Sequence, residues 1–163
     1  MSFSEQDLKK KGYKQLEDGS WARATSKGLE LRSAPDKPEV SRIEIPGIVA
    51  GLNGSKGLIR SHYHTQKKQK DYYQMIVQDH LNQGKARKHT GPVEINYVGY
   101  KSRLMDWDNF CASFKHLGDS LHKCGVILDD NPKIVKKFLP EQFKSKQKDQ
   151  RVIIIIKDLD VNI

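Results

Sequence analysis

The chain has 163 residues and a mass of 18.7 kDa, room for one domain of ordinary size and a small appendage but not for two full domains. Lys and Arg outnumber Asp and Glu by 29 to 20, a net charge of +9, and a mean hydropathy of −0.72 allows a modest core. The longest aliphatic run, Val152-Ile153-Ile154-Ile155-Ile156, falls far short of the ~20 residues that span a bilayer. No cationic stretch leading into an apolar one opens the chain, so no signal peptide is expected. The two cysteines, Cys111 and Cys124, are expected within one helix, too far apart to bridge. A reducing, cytoplasmic setting follows.

In chain order, Ser4-Glu5-Gln6-Asp7-Leu8 reads as a helix start capped by Ser4. Tyr13 to Ala24 reads as a hairpin turning at Asp18-Gly19, a pair suited to the positive φ of a type I′ turn. Ala34 to Glu39 holds Pro35 and Pro38 and reads as a linker. The spacing therefore predicts an N-terminal extension over 1–40 and a main domain over 41–163. Within the latter, Ser41 to Pro46 alternates as a strand, and a loop with Gly and Asn follows over 47–61. Thr65 to Gln83 is predicted helical, with Tyr72, Tyr73, Ile76, Val77 and Leu81 as its buried stripe. Val93 to Tyr100 alternates as a second strand after Gly91-Pro92. Phe110, Phe114, Leu117, Leu121 and Cys124 recur at helical spacing, predicting one helix over Asp108 to Cys124 that Gly125 ends. Val126-Ile127-Leu128 reads as a short extended piece and Ile134 to Leu139 as a strand. Arg151 to Asp158 is β-branched on both faces, as an inner strand requires. The expected class is α+β or α/β, a mixed sheet with two main helices and a small hairpin extension.

The positive charge is uneven: residues 1–50 carry nine bases and eight acids, whereas residues 51–163 carry twenty and twelve. Lys56, Arg60, Lys67, Lys68 and Lys70 form one patch, Lys85, Arg87 and Lys88 a second. A third holds Lys133, Lys136, Lys137, Lys144, Lys146 and Lys148. Basic clusters of this kind are the footprint of a phosphate backbone, and equally of a solvated surface. Against this background Asp106, Asp108, Asp119, Asp129 and Asp130 stand within 25 residues. Carboxylates so concentrated repel one another unless a cation joins them.

Asp106 and Asp108 fall where a strand feeds a helix. If 104–108 is extended, both point to one side and suit a hard divalent cation. Lys115 follows two helical turns from Asp108, close to the same face, and Asp119 four residues later. A straight return over Gly125 to Asp130 recovers roughly the ~20 Å that the helix covers, which would bring three carboxylates and a lysine together. Carboxylate-held Mg²⁺ activates water and steadies a phosphodiester, and a lysine supports the developing charge. The competing reading is an ordinary Lys115–Asp119 pair and a turn at Asp129-Asp130.

Asp106-Trp-Asp-Asn109, Lys115, Asp119-Ser-Leu121 and Gly125-Val-Ile-Leu-Asp129-Asp130 together resemble the RusA-type Holliday-junction resolvases of bacteria and prophages. The resemblance covers about 42–160. It implies a Mg²⁺-dependent endonuclease of mixed α/β fold (Mn²⁺ can take the metal's place), acting as a homodimer on four-way or related branched DNA in recombination and repair. It further implies Asp106, Asp108 and Asp130 as metal carboxylates and Lys115 as the catalytic lysine. Lys56, Arg60, Lys67, Lys68, Lys70, Lys136 and Lys137 are the expected DNA contacts. The alternative is a DNA-binding protein whose acids are structural or whose site has decayed. His62-Tyr63-His64 has no cysteine or third histidine near it, which argues against zinc. Neither a phosphate-binding Gly-rich loop nor a nucleophile motif for acyl transfer occurs.

Overall fold

The computed structural model describes residues 5–16, 20–25, 28–32, 39–51, 53, 57 and 61–159. The fold is α+β, as expected, and its strands fall into two separate sheets.

The first sheet belongs to the N-terminal extension. Helix α1 (Glu5–Lys10) precedes strands β1 (Lys14–Gln15), β2 (Trp21–Thr25) and β3 (Gly28–Arg32). β1 pairs antiparallel with β2, matching Lys14 to Ala22, so the expected hairpin forms; its Asp18-Gly19 turn lies outside the described residues. β3 extends the sheet and has no counterpart in the sequence reading. Leu8, Tyr13 and Trp21 bury one another as a small core of their own.

The second sheet contains β4 (Val40–Pro46), β5 (Val93–Lys101), β6 (Val135–Lys144) and β7 (Arg151–Asp158), in the order β4-β7-β5-β6. β7 lies between β4 and β5, antiparallel to both. That position explains its β-branched character, since Val152, Ile153, Ile154 and Ile156 are all buried. β6 runs parallel to β5 from Val93↔Val135 to Lys101↔Lys144 and continues five residues past its expected end. Pro140 inside it is tolerated because β6 is an edge strand.

Two helical segments cover the sheet. α2 (Tyr63–Asn82) buries Tyr73, Ile76 and Val77 and packs on β4 and on the second segment. His80 pins it there: its Nδ1 donates to Ile76 O at 2.9 Å and its Nε2 accepts from the Glu44 N–H at 3.2 Å. His62 caps α2 and His64 lies in its first turn. The single helix expected over Asp108 to Cys124 is two, α3 (Trp107–Ala112) and α4 (Lys115–Lys123). Ser113 marks the break: its hydroxyl donates to Phe110 O at 2.6 Å, competing with the helical ladder, and lies 2.8 Å from the Tyr97 hydroxyl. Both cysteines are free, Cys111 within α3 and Cys124 capping α4. The core joins Ile43, Ile45, Ile95, Tyr97, Val152, Ile154 and Ile156 of the sheet to Val77, Phe110, Leu117 and Leu121 of the helices.

Candidate metal and DNA site

β5 delivers the chain to the acidic motif, and β6 fixes where it arrives. The Gln142 side chain donates to Met105 O at 2.7 Å and accepts from Met105 N–H at 2.9 Å, clamping the residue before Asp106. Asp106 then caps α3 with extended backbone, its carbonyl accepting from Phe110 N–H at 2.8 Å and its side chain making no capping bond. Asp108 sits within the first turn of α3, so the two acids are cap and helix rather than alternate positions of a strand. Both are exposed, and neither makes an ion pair among the described residues. Asn109 completes the motif by turning inward, where its Oδ1 accepts from Asn53 N–H at 3.4 Å. Gly51 is required there, because a Cβ would come within 2.4 Å of both Asn109 Oδ1 and Met105 Cε. Phe110 anchors α3 in the core, fully buried and stacked on Tyr97 at 5.0 Å.

Lys115 opens α4, exposed, and the break at Ser113 separates it from Asp108, so the two do not share one continuous helical face. It does not pair with Asp119. That carboxylate instead meets Lys70 of α2 at 3.2 Å and lies 4.0 Å from His116 Nδ1.

Asp129 and Asp130 are not brought to Asp106 and Asp108 within one chain. The straight antiparallel return does not form: residues 126–134 run through bends and turns, and the strand that returns is β6, parallel to β5. Its approach is anchored at the Val93 end, by Val93 N–H to Ile134 O at 2.8 Å and His89 N–H to Val126 O at 2.8 Å. Asp106 lies beyond the Lys101 end. Nine strand residues separate the two ends, roughly 25 Å at 3.3 Å per residue. Accordingly, no group of three or more acids, histidines or cysteines placed to hold a metal ion exists among the described residues.

The choice between the two adjacent aspartates is clearer. Burial pushes Asp129 up, but hydrogen bonds from Asp130 N–H (2.7 Å) and the Asn131 amide (2.6 Å) outweigh it and hold the carboxyl below its ordinary range. Both Asp129 oxygens are thereby spent on its own turn. Asp130 is exposed, and its side chain also meets that of Asp129.

Of the expected DNA contacts, Lys67 and Lys68 are exposed on α2, and Lys136 on β6. Lys70 is held by Asp119, and Lys137 by Glu94 at 3.5 Å. Lys56 and Arg60 lie outside the described residues.

The structure adds groups that spacing does not reveal. Lys101, the last residue of β5, is 5% exposed; its ammonium donates to Val49 O at 3.3 Å and lies 5.8 Å from the Phe110 ring centre. Burial lowers its pKa. His116 is 6% exposed with neither ring nitrogen bonded. Buried Ser41 and His89 form a hydrogen-bonded chain that ends on the exposed Asp158 carboxylate. These residues come from distant segments, so no local pattern could have flagged them. No protein-family model matches the chain, and no curated protein matches it.

Proposed function

We propose that this chain is a divalent-metal-dependent endonuclease for branched DNA, of the RusA resolvase type, working as a homodimer with each metal site shared between two subunits. The observation that carries the reading is the state of its acids. Glu44, Glu94, Asp119 and Asp158 each hold a cationic side chain. Asp106, Asp108 and Asp130 are exposed and enter no ion pair among the described residues of a +9 chain. The same is true of Asp71, Glu141 and Asp149, but of this group only Asp106 and Asp108 stand together at the opening of one helix. Exposed carboxylates kept clear of abundant lysines suit a partner of higher charge density than an ammonium.

Asp106 and Asp108 supply two oxygen donors at the Lys101 end of the sheet. Mg²⁺ is commonly held by one or two carboxylates plus phosphate oxygens and water, so this pair fits it as a partial site. When bound, such a cation supplies an activated water and a counter-charge for the scissile phosphodiester. Lys115, exposed at the start of α4, offers a further positive charge to that phosphate. Asp130, at the far end of the same sheet, is available to a second copy. A two-fold axis that reverses strand direction sets the Asp130 end of one subunit beside the Asp106 end of the other, twice. A four-way junction has the same near-two-fold symmetry and calls for paired cuts. Lys67, Lys68 and Lys136 contribute backbone neutralisation.

The test is cleavage of a synthetic four-way junction with Mg²⁺, beside binding of the same junction in EDTA. Wild type should cut only with metal and bind without it. Asp108→Asn should retain binding and lose cutting by at least two orders of magnitude. Near wild-type cutting by that variant would remove Asp108 from the site, and tight binding with no cutting by wild type would leave a DNA-binding protein without catalysis.

A further inference from the structure

Ser41 Oγ lies 2.8 Å from His89 Nε2, and His89 Nδ1 lies 2.6 Å from Asp158 Oδ1. This is the hydrogen-bond order of a hydrolytic triad, yet Ser41 and His89 are 0% and 1% exposed. A nucleophile sealed in β4 meets no substrate. The chain is instead fully satisfied. Asp158 accepts only, so Nδ1 carries the proton; Nε2 accepts from the Ser41 hydroxyl, and Ser41 Oγ accepts from Arg87 N–H at 2.9 Å. The Arg87 guanidinium also donates to Asp158 and, at 3.4 Å, to Glu39 O.

What this chain ties together gives it a use. Ser41 belongs to β4, Asp158 ends β7, and His89 precedes β5. From that locked position the His89 main-chain N–H donates to Val126 O at 2.8 Å. Val126 and Ile127 are 0% and 1% exposed, and Asp129 and Asp130 follow within four residues. The segment bearing Asp130 has little regular structure of its own, so its place depends on such anchors.

We propose that His89, locked by Ser41 and Asp158, is a positioning residue for Asp130, acting through its main-chain bond to Val126. The proposal rests on the endonuclease reading for the use made of Asp130, but not for the clasp itself. The charged groups facing the imidazole are Asp158 from β7 and Arg87 from its own loop; β4 presents only the Ser41 hydroxyl, and the 124–134 loop presents main chain. Burial lowers the His89 pKa and Arg87 adds to this, against the bond from Asp158.

Two measurements on the intact chain test it. In ¹⁵N NMR of the wild type, the His89 ring should show an Nδ1–H tautomer, and the amides of 126–130 should shift with the same midpoint as that ring. Asp158→Asn, shown folded by the same spectra, should weaken Mn²⁺ binding by calorimetry about tenfold, the low end for loss of a support behind a metal ligand. Its affinity for junction DNA in EDTA should stay unchanged, and Asp158→Glu should restore most of the loss. If Asp158→Asn does not fold, His89→Gln takes its place. Amides of 126–130 that ignore the imidazole titration, or a folded variant with wild-type Mn²⁺ affinity, would overturn the proposal. A wild type that binds no Mn²⁺ and cuts no junction would refute the endonuclease reading, and the proposal with it as far as Asp130 is a ligand; co-titrating amides would then leave the clasp standing as a structural device alone.

Discussion

Replacing Gly99 by Ala tests whether the core and the acidic motif are coupled as the structure implies. Gly99 faces α3 from β5, and a Cβ there would stand 2.6 Å from Phe110 Cε2, 2.9 Å from its Cζ and 3.4 Å from Lys101 Cε. Ordinary carbon contacts are about 3.5–4.0 Å, so the ring must retreat by roughly 1 Å. It has little room: Phe110 is fully buried, stacked on Tyr97 at 5.0 Å, with Trp107 edge-on at 6.1 Å. Overpacking of this kind costs about 1–3 kcal/mol, offset by about 0.4–1 kcal/mol from the stiffer unfolded chain. The net loss should be about 1–2 kcal/mol, lowering Tm by about 2–8 °C in a chain of this size. Urea denaturation should show a lower midpoint at unchanged slope. Because Phe110 lies two residues beyond Asp108, Mg²⁺-dependent cutting should fall more than junction binding in EDTA. In a Phe110→Leu background the same Ala should cost less than about 0.5 kcal/mol, since the ring it strikes is gone. An equal cost in both backgrounds, or unchanged stability, would refute this account of the packing.

Stability should decline in acid. Burial holds His89 below 6.5, and burial with Lys70 does the same to His116 against Asp119. The unfolded chain therefore takes protons near pH 6.5 that the folded chain refuses. Stability is full above that value and falls as pH drops below it, by up to about 1.4 kcal/mol per pH unit per group until each folded pKa is passed. Burial raises Asp158, but the Arg87 and His89 bonds hold it below 3.8 overall, so its contribution persists until pH falls through its folded value. Equal urea midpoints at pH 7.5 and 5.5 would contradict this. Lys67→Gln with Lys68→Gln should reduce the slope of log K against log salt for junction binding by up to about 2, read by anisotropy in EDTA. Lys70→Gln should change it less, because Asp119 already holds that ammonium; equal effects per lysine would show that the pair opens on DNA.

The parts of the fold legible in the sequence are those fixed by local pattern. The β-branched run Val152–Ile156 can be buried on both faces only as an inner strand, and β7 is one. Ser41 to Pro46 and Val93 to Tyr100 alternate because one sheet face meets the helices. β3 was not read as a strand although Leu29-Glu30-Leu31-Arg32 alternates, because a run of four residues before a proline-containing stretch is a weak local signal and pairing with β2 is what fixes it. The break between α3 and α4 was hidden because Phe110, Phe114, Leu117 and Leu121 keep helical spacing across it; the cause is the bond of Ser113 to the Phe110 carbonyl, made while facing Tyr97. The largest departure concerns Asp130. Reading its approach as a straight return ignored that a strand, helix and strand in one sheet pair in parallel, which places the two connecting loops at opposite ends. The motif residues were legible as types and spacing; their separation is a property of topology.

That separation makes subunit mixing the most direct test of the shared site. Asp108→Asn and Asp130→Asn proteins, each inactive alone, are mixed under conditions that exchange subunits and assayed on a four-way junction with Mg²⁺. If each site draws Asp106 and Asp108 from one subunit and Asp130 from the other, a mixed dimer holds one site with both changes and one with none. The account predicts recovered cutting, confined to a single strand per dimer, which yields nicked junctions rather than paired cuts. A mixture as inactive as its components, with subunit exchange verified by mass, would contradict it.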